Sequence, residues 1–229
     1  MISVLSYFKT HWIAHIAVAI ALSILITLGF WQLHRFHEKR ALETKFAEYH
    51  QSMPLKLKQI ENSNIQNYQP IQLEGYFDNV HSFLLDNQFY QHRLGYQVIT
   101  PLIIPNNSRI ILINRGWIPQ NHSRNQLPHF SAIREKVKLT GLVYLPQKNP
   151  FISNELETIT WPQRIQSIDF MTISKRLNHP IYPWIILLDP KNSYGFVRNW
   201  QPTTLKSSMH IGYAIQWFLM ATILLVIYF

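Results

Sequence analysis

A chain of 229 residues, 47% of them apolar, is too hydrophobic to stay disordered and long enough for one domain with accessory segments. Its formal charge of +9 suits anionic partners: phospholipid headgroups, carboxylate-bearing ligands or nucleic acid. The absence of cysteine excludes disulfides, thiolate catalysis, zinc thiolate sites and covalent haem attachment through Cys-x-x-Cys-His.

Residues 1–11 read as a short N-terminal tail. Residues 12–33, WIAHIAVAIALSILITLGFWQL, carry no formal charge and as a helix measure about 33 Å, enough to cross a bilayer core. The run ends in bulky Phe30, Trp31 and Gln32 where a signal peptidase needs small residues, so it is expected to be an uncleaved anchor. Residues 34–60 continue with helix formers of mixed charge, a juxtamembrane helical stalk whose end Pro54 should mark.

Over 61–209 the period changes. QPIQLEGYF, HSFLLDNQF, YQVITPLII, RIILINRGWI, VKLTGLVYL and PWIILLDP are short β-branched or aromatic runs separated by turn residues. They predict a β-rich domain, an antiparallel barrel or sandwich, interrupted by one helix near SIDFMTISKRLN with Ser167 or Asp169 as N-cap. PQNHSRNQLPHF, between Pro119 and Phe130, is expected to be a long surface loop. In NRGWIP, Asn114, Arg115, Gly116 and Trp117 stand at the end of an apolar run. They are either a strand terminus with a tight turn and a core tryptophan, or a docking loop for a partner.

Residues 210–229 form the second membrane segment, with Ile211 to Phe229 about 28 Å long as a helix. The fold class is therefore an α+β membrane protein: two transmembrane helices flanking a β-rich extramembrane domain. All 12 acidic residues and all but one of the 21 basic ones lie between His34 and His210. The basic cluster after the first span argues for a cytoplasmic domain by the positive-inside rule, a rule that weakens for long translocated domains.

No phosphate-cradling glycine loop, metalloprotease motif or nucleophile elbow occurs, so no enzyme is expected. Arg and Lys are spread along a membrane-tethered domain, which argues against nucleic acid. What the sequence does concentrate is polar chemistry where the spans meet water. His210, Tyr213, Ala214, Trp217 and Ala221 share one side of the second helix, and Trp31, His34, Arg35 and Glu38 share a stripe on the first. Because the spans run in opposite directions, His34, His37 and His210 fall at one depth. Two readings stand: an interfacial aromatic belt, or a site in which His210 ligates a metal, a haem iron, near a propionate-pairing Arg35. His15, within the first span, reads as a helix contact.

Taken together, LGFWQLHR, LEGYF, LGYQVITPLI, ILINRGWIP and HIGYAIQWF, in that order, resemble the Surfeit locus protein 1 family of cytochrome c oxidase assembly factors. The resemblance implies a domain outside the cytoplasmic membrane or in the mitochondrial intermembrane space, against the charge count; without an Arg-rich, Ser-rich presequence before Trp12, a bacterial cytoplasmic (inner) membrane with the domain on the periplasmic side is expected. It also implies a role in maturing the haem-a-containing subunit I, with subunit I, membrane lipid and a haem a synthase as partners. It further implies haem a binding in which His210 is the ligand. From their places beside it on the two helices, Arg35, Trp31, Trp217, Tyr213 and His34 are then expected to complete the cofactor site. The alternative is a haem-independent scaffold for subunit I. The chain departs from the family at Gln216, where threonine is common, and at Leu94, where proline often precedes Gly-Tyr.

Overall fold

A computed structural model describes residues 12–61, 64–121, 123, 126–147, 160–202 and 205–228; the tail expected over 1–11 and the terminal Phe229 lie outside them. The chain divides into two compact units, one built from Met1–Ala47 with Gln201–Phe229 and one from Glu48–Trp200.

The first unit is a pair of helices. Helix α1 runs unbroken over Trp12–Gln51, so the expected anchor and stalk are one element. No proline or glycine pair interrupts it, and its charged half supplies side chains for pairs three and four residues apart. It ends ahead of Pro54, where the missing N–H cannot continue a helix. The C-terminal helix covers Ser207–Tyr228. Both are long and apolar enough to cross a membrane, and hardly any of either apolar stretch is buried by protein, as expected of surfaces that face lipid.

The second unit is a closed barrel. Its strands are β1 (Leu55–Lys56), β2 (Pro70–Phe77), β3 (Phe83–Tyr90), β4 (Arg93–Ile103), β5 (Ile110–Pro119), β6 (Val137–Tyr144), β7 (Gln163–Ile165) and β8 (Ile181–Leu188). Five of them close a ring, β2-β6-β8-β5-β4, with β4 returning to β2 through Tyr76 opposite Ile103 and Phe77 opposite Leu102. Closure removes the open edges that a strand row otherwise presents. β3 and then β7 extend the sheet beyond β4, and the short β1 lies along β2. Within the ring every pair is antiparallel except β5 with β8, and the short outer pairs β1–β2 and β3–β7 are parallel. A parallel pair needs a long crossover, and the chain between them contains β6, β7 and the helix Phe170–Leu177.

Alternate residues of these strands fill the barrel, among them Ile71, Leu73, Leu102, Ile111, Ile113, Leu139, Trp184 and Ile186, with Ile60 of the short helix α2 (Leu57–Glu61) against them. A second cluster, Leu84, Tyr96, Val98 and Ile118, packs with Leu127, Phe130 and Phe196. The helix Phe170–Leu177 (α3) starts at Asp169, whose carboxylate accepts the Thr172 hydroxyl at 2.6 Å, and stops at Asn178, whose φ of 49° ends the helical run. The Ser207–Tyr228 helix is α4.

One expectation is corrected here. Asn114, Arg115, Gly116 and Trp117 are not an exposed turn; they lie within β5 and are all buried. The glycine that suggested a turn sits instead in a β-bulge: Gln97 faces Trp117 and Ile99 faces Asn114, so Arg115 and Gly116 together oppose Val98. Gly116 takes φ +111°, and a Cβ there would stand 2.6 Å from the Val197 carbonyl oxygen. That close approach is used: Val197 bridges Trp117 through N–H to O bonds of 2.7 and 3.2 Å. Buried within β5, the four residues form no surface loop.

Candidate functional site

The two helices of the first unit meet through small residues and polar contacts. Gly29 of α1 receives the Phe218 ring of α4 so closely that a Cβ would lie 2.6 Å from it, and Phe218 also packs edge-to-face on Phe30 at 5.4 Å. On α4, Ala214 and Ala221 are buried, as small residues must be for helices to approach in lipid. Tyr213, expected on the same side, is instead 43% exposed, and Trp217 is half-buried.

Among the described residues, three polar contacts link α1 and α4. The Glu43 carboxylate accepts both the backbone N–H of Ser207, at 2.8 Å, and its hydroxyl, at 2.6 Å. An acceptor there satisfies a donor that the first turn of any helix leaves open, and its negative charge meets the positive end of the helix dipole. The Ser207 hydroxyl and N–H in turn hold the Glu43 carboxyl below its ordinary value. Near the opposite ends, Tyr228 OH bonds His15 Nδ1, with the rings edge-to-face. The helix contact expected of His15 is thus made.

The third contact is at His210. Its Nδ1 lies 2.8 Å from Gln32 Oε1, and the residue is 92% removed from solvent, being 8% exposed. An amide oxygen only accepts, so Nδ1 carries the proton and donates. In the neutral imidazole Nε2 then holds a bare lone pair, and that atom is buried without a hydrogen-bond partner. A neutral imidazole oriented through its other nitrogen is the form in which histidine ligates a metal.

The remaining predicted residues do not converge on that nitrogen. The His34 side chain is 72% exposed and turns its Nε2 to Glu38 at 3.3 Å. Arg35 Nη1 also donates to Glu38, at 2.8 Å, and this bond holds the Glu38 carboxyl below the usual carboxylate value. Trp31 is 52% exposed. The site therefore consists of one buried, oriented imidazole on α4 and an exposed His34–Arg35–Glu38 group with Trp31 on α1. Among the described residues no group of three His, Cys, Asp or Glu could hold a bare metal ion. A haem would be the better fit, because it could be held through a single protein imidazole, here that of His210. Arg35 fits a haem carboxylate less directly, since Glu38 already holds it.

Sequence reasoning placed Gln32 in the motif and gave it no role, and it missed Glu43 and Ser207. The available signal was chemical: Gln32 is the one carboxamide in the apolar run of residues 12–33, where an amide needs a partner.

In the barrel, the NRGW residues knit strands together. Asn114 donates to Gln97 Oε1 at 2.8 Å and accepts from Gly116 N–H at 3.1 Å. Trp117 donates its indole N–H to the Gln88 carbonyl at 2.9 Å and packs on Tyr90 at 5.4 Å. The β3–β4 arm is thereby held down on β5.

Comparison with known proteins gives one consistent result. A family profile described as the SURF1 family matches residues 19–222. A protein of Gallus gallus named Surfeit locus protein 1 is 29% identical over 156 residues, which are 60% of this chain and 50% of that protein. SURF1-like proteins of Rickettsia bellii and Rickettsia felis are each 25% identical over 93% of this chain, covering 88% and 94% of theirs. The chain thus spans about half of the chicken protein and most of the two rickettsial ones.

Proposed function

Because the chain belongs to the SURF1 family, a family linked to cytochrome c oxidase assembly, we propose that it is a non-catalytic membrane assembly factor that holds haem a between the middle of α1 and the first turns of α4 for insertion into oxidase subunit I. One observation carries the reading: His210 Nε2 is buried and partnerless while Nδ1 is held by Gln32. A haem supplies an iron that accepts a neutral imidazole nitrogen, and carboxylates that seek cations at an aqueous boundary.

In this reading Gln32 fixes the His210 tautomer and ring orientation, and His210 Nε2 is the ligand atom. Glu43 anchors the first turn of α4, three residues before His210, so the imidazole is presented from a fixed helix end. Arg35, now bonded to Glu38, would hold a haem carboxylate, with His34 beside it. Trp31 in the middle of α1, and Tyr213 and Trp217 in the first turns of α4, offer ring faces. A single ligand suits a carrier that must release its cargo to a tighter acceptor. The membrane is a bacterial cytoplasmic membrane, with the barrel on the periplasmic side and subunit I and a haem a synthase as partners.

A second reading rests on the same helix pair. The three polar links would equally serve a scaffold that stabilises subunit I without touching haem. The two part in one experiment: the absorption spectrum of the detergent-purified chain from cells that make haem a, beside His210→Ala. A haem a spectrum that disappears in the variant supports the carrier. No haem in either folded protein leaves the scaffold.

A further inference from the structure

The bulge in β5 turns Arg115 into the protein, where only 3% of it is exposed. Its Cζ lies 5.0 Å from the Phe77 ring centroid, 4.9 Å from Phe196 and 5.8 Å from Phe130. Nε donates to the Tyr194 carbonyl at 2.8 Å, whereas Nη1 is buried with no partner. Rings stacked near a guanidinium compensate its charge, but they do not receive the N–H groups that project in its plane. Those in-plane donors are what a carboxylate or phosphate takes in pairs.

The neighbouring charge makes the deficit larger. Burial, and after it the charge of Arg198, lowers the Arg115 pKa to about 10, which leaves the guanidinium protonated at neutral pH. Arg198 itself donates to backbone carbonyls, Nε to Phe196 at 3.0 Å and Nη1 to Asp189 at 2.7 Å. The Asp189 charge acts on Arg198, but no ion pair to either guanidinium occurs among the described residues. Burying a cation without a counter-ion is costly. Over the guanidinium stand Phe130 and Phe196, edge-to-face at 5.7 Å, both half-buried and both on irregular segments rather than on strands.

We propose that Arg115 is the floor of an oxyanion site in the barrel, backed by Arg198 and closed by the Phe130–Phe196 pair, which swings aside to admit a carboxylate or phosphate group. The site is separate from His210 and needs no haem, so its fate is independent of the haem reading.

The test uses the full chain in detergent, titrated at constant ionic strength with inorganic phosphate and, separately, with acetate, chloride serving as the control salt. The readout is the Arg115 Nε–Hε NMR signal, displaced by the three rings and assigned by its absence from Arg115→Lys or, should that variant not fold, by its shift in Phe196→Ala. Saturable movement with phosphate alone identifies a phosphate-bearing ligand, and with acetate alone a carboxylate; Phe196→Ala should bind several-fold more tightly because the gate is gone. A signal that neither anion moves in wild type or in Phe196→Ala overturns the proposal and leaves Arg115 as a structural cation–π residue.

Discussion

Replacing Gln32 with leucine keeps the side chain's bulk in α1 and removes the acceptor 2.8 Å from His210 Nδ1. Two separate costs follow, one to stability and one to ligation. Leaving a buried N–H unsatisfied costs about 1–3 kcal/mol, and loss of the group that orients a ligating histidine lowers metal affinity roughly 10- to 100-fold, equivalent to about 1.4–2.7 kcal/mol. The imidazole has another way out: with Nδ1 unpaired, the proton can move to Nε2, which abolishes the lone pair that a ligand needs. Gln32→Leu should therefore weaken haem a binding by about one to two orders of magnitude while His210 stays in place. Titration of the purified protein with haem a reads the first quantity. Imidazole 15N NMR of the haem-free protein reads the tautomer, and wild type should show the proton on Nδ1. A wild-type spectrum with the proton on Nε2, or a Gln32→Leu protein that leaves His210 unchanged, would refute the argument whatever the haem result.

Two further outcomes follow from contacts outside the spans. Glu43→Gln removes the charge but not the bulk that ties α1 to the first turn of α4, and should lower stability by about 1 kcal/mol, a figure kept small because Glu43 is partly exposed. Since the folded pKa lies below the ordinary 4.5, the stabilisation is complete above that pH and fades as pH falls through the folded value. The wild-type Tm should thus drop toward that of Glu43→Gln in acid, and parallel pH profiles would show that the bond contributes nothing. In the barrel, Gly116→Ala places a Cβ at φ +111° and 2.6 Å from the Val197 carbonyl oxygen. About 3 kcal/mol of destabilisation should result, read as a fall in Tm of roughly 6–12 °C. An unchanged Tm would mean that the bulge is not built as described.

The elements that were legible in the sequence share a physical cause. The spans were plain because lipid demands an uninterrupted apolar stretch. β2 to β6 and β8 were plain because β-branched runs were bounded by turn residues. β7 was not, since three residues show no period. The β3–β4 turn escaped because Gln91 and His92 take φ of 46° and 64°, a conformation normally announced by glycine or asparagine. Gly116 misled in the opposite direction: glycine next to a charge suggests a turn, but here its positive φ lets the Val197 segment bond to the strand. His210 could be singled out from its place at a span entrance. Its partner could not, because which carboxamide faces which imidazole depends on how two helices rotate against each other, and no single-helix pattern encodes that.

The cost of polar groups at the entrance of an apolar helix is answered contact by contact. Ser207 gives its N–H and hydroxyl to Glu43, and His210 gives Nδ1–H to Gln32. Interhelical bonds of this kind are how a span tolerates polar atoms. On those grounds alone His210 is a poor choice, because an asparagine or serine could meet Gln32 without carrying a second nitrogen that must also be buried. Nε2 is that second nitrogen, and it has no partner. A buried polar atom left unmade costs about 1–3 kcal/mol, so a purely structural link between α1 and α4 would be more stable with a different residue at 210. The histidine makes sense where the lone pair itself is wanted, and an electrophile arriving from outside the chain, of which a haem iron is the instance proposed, is the group that would take it.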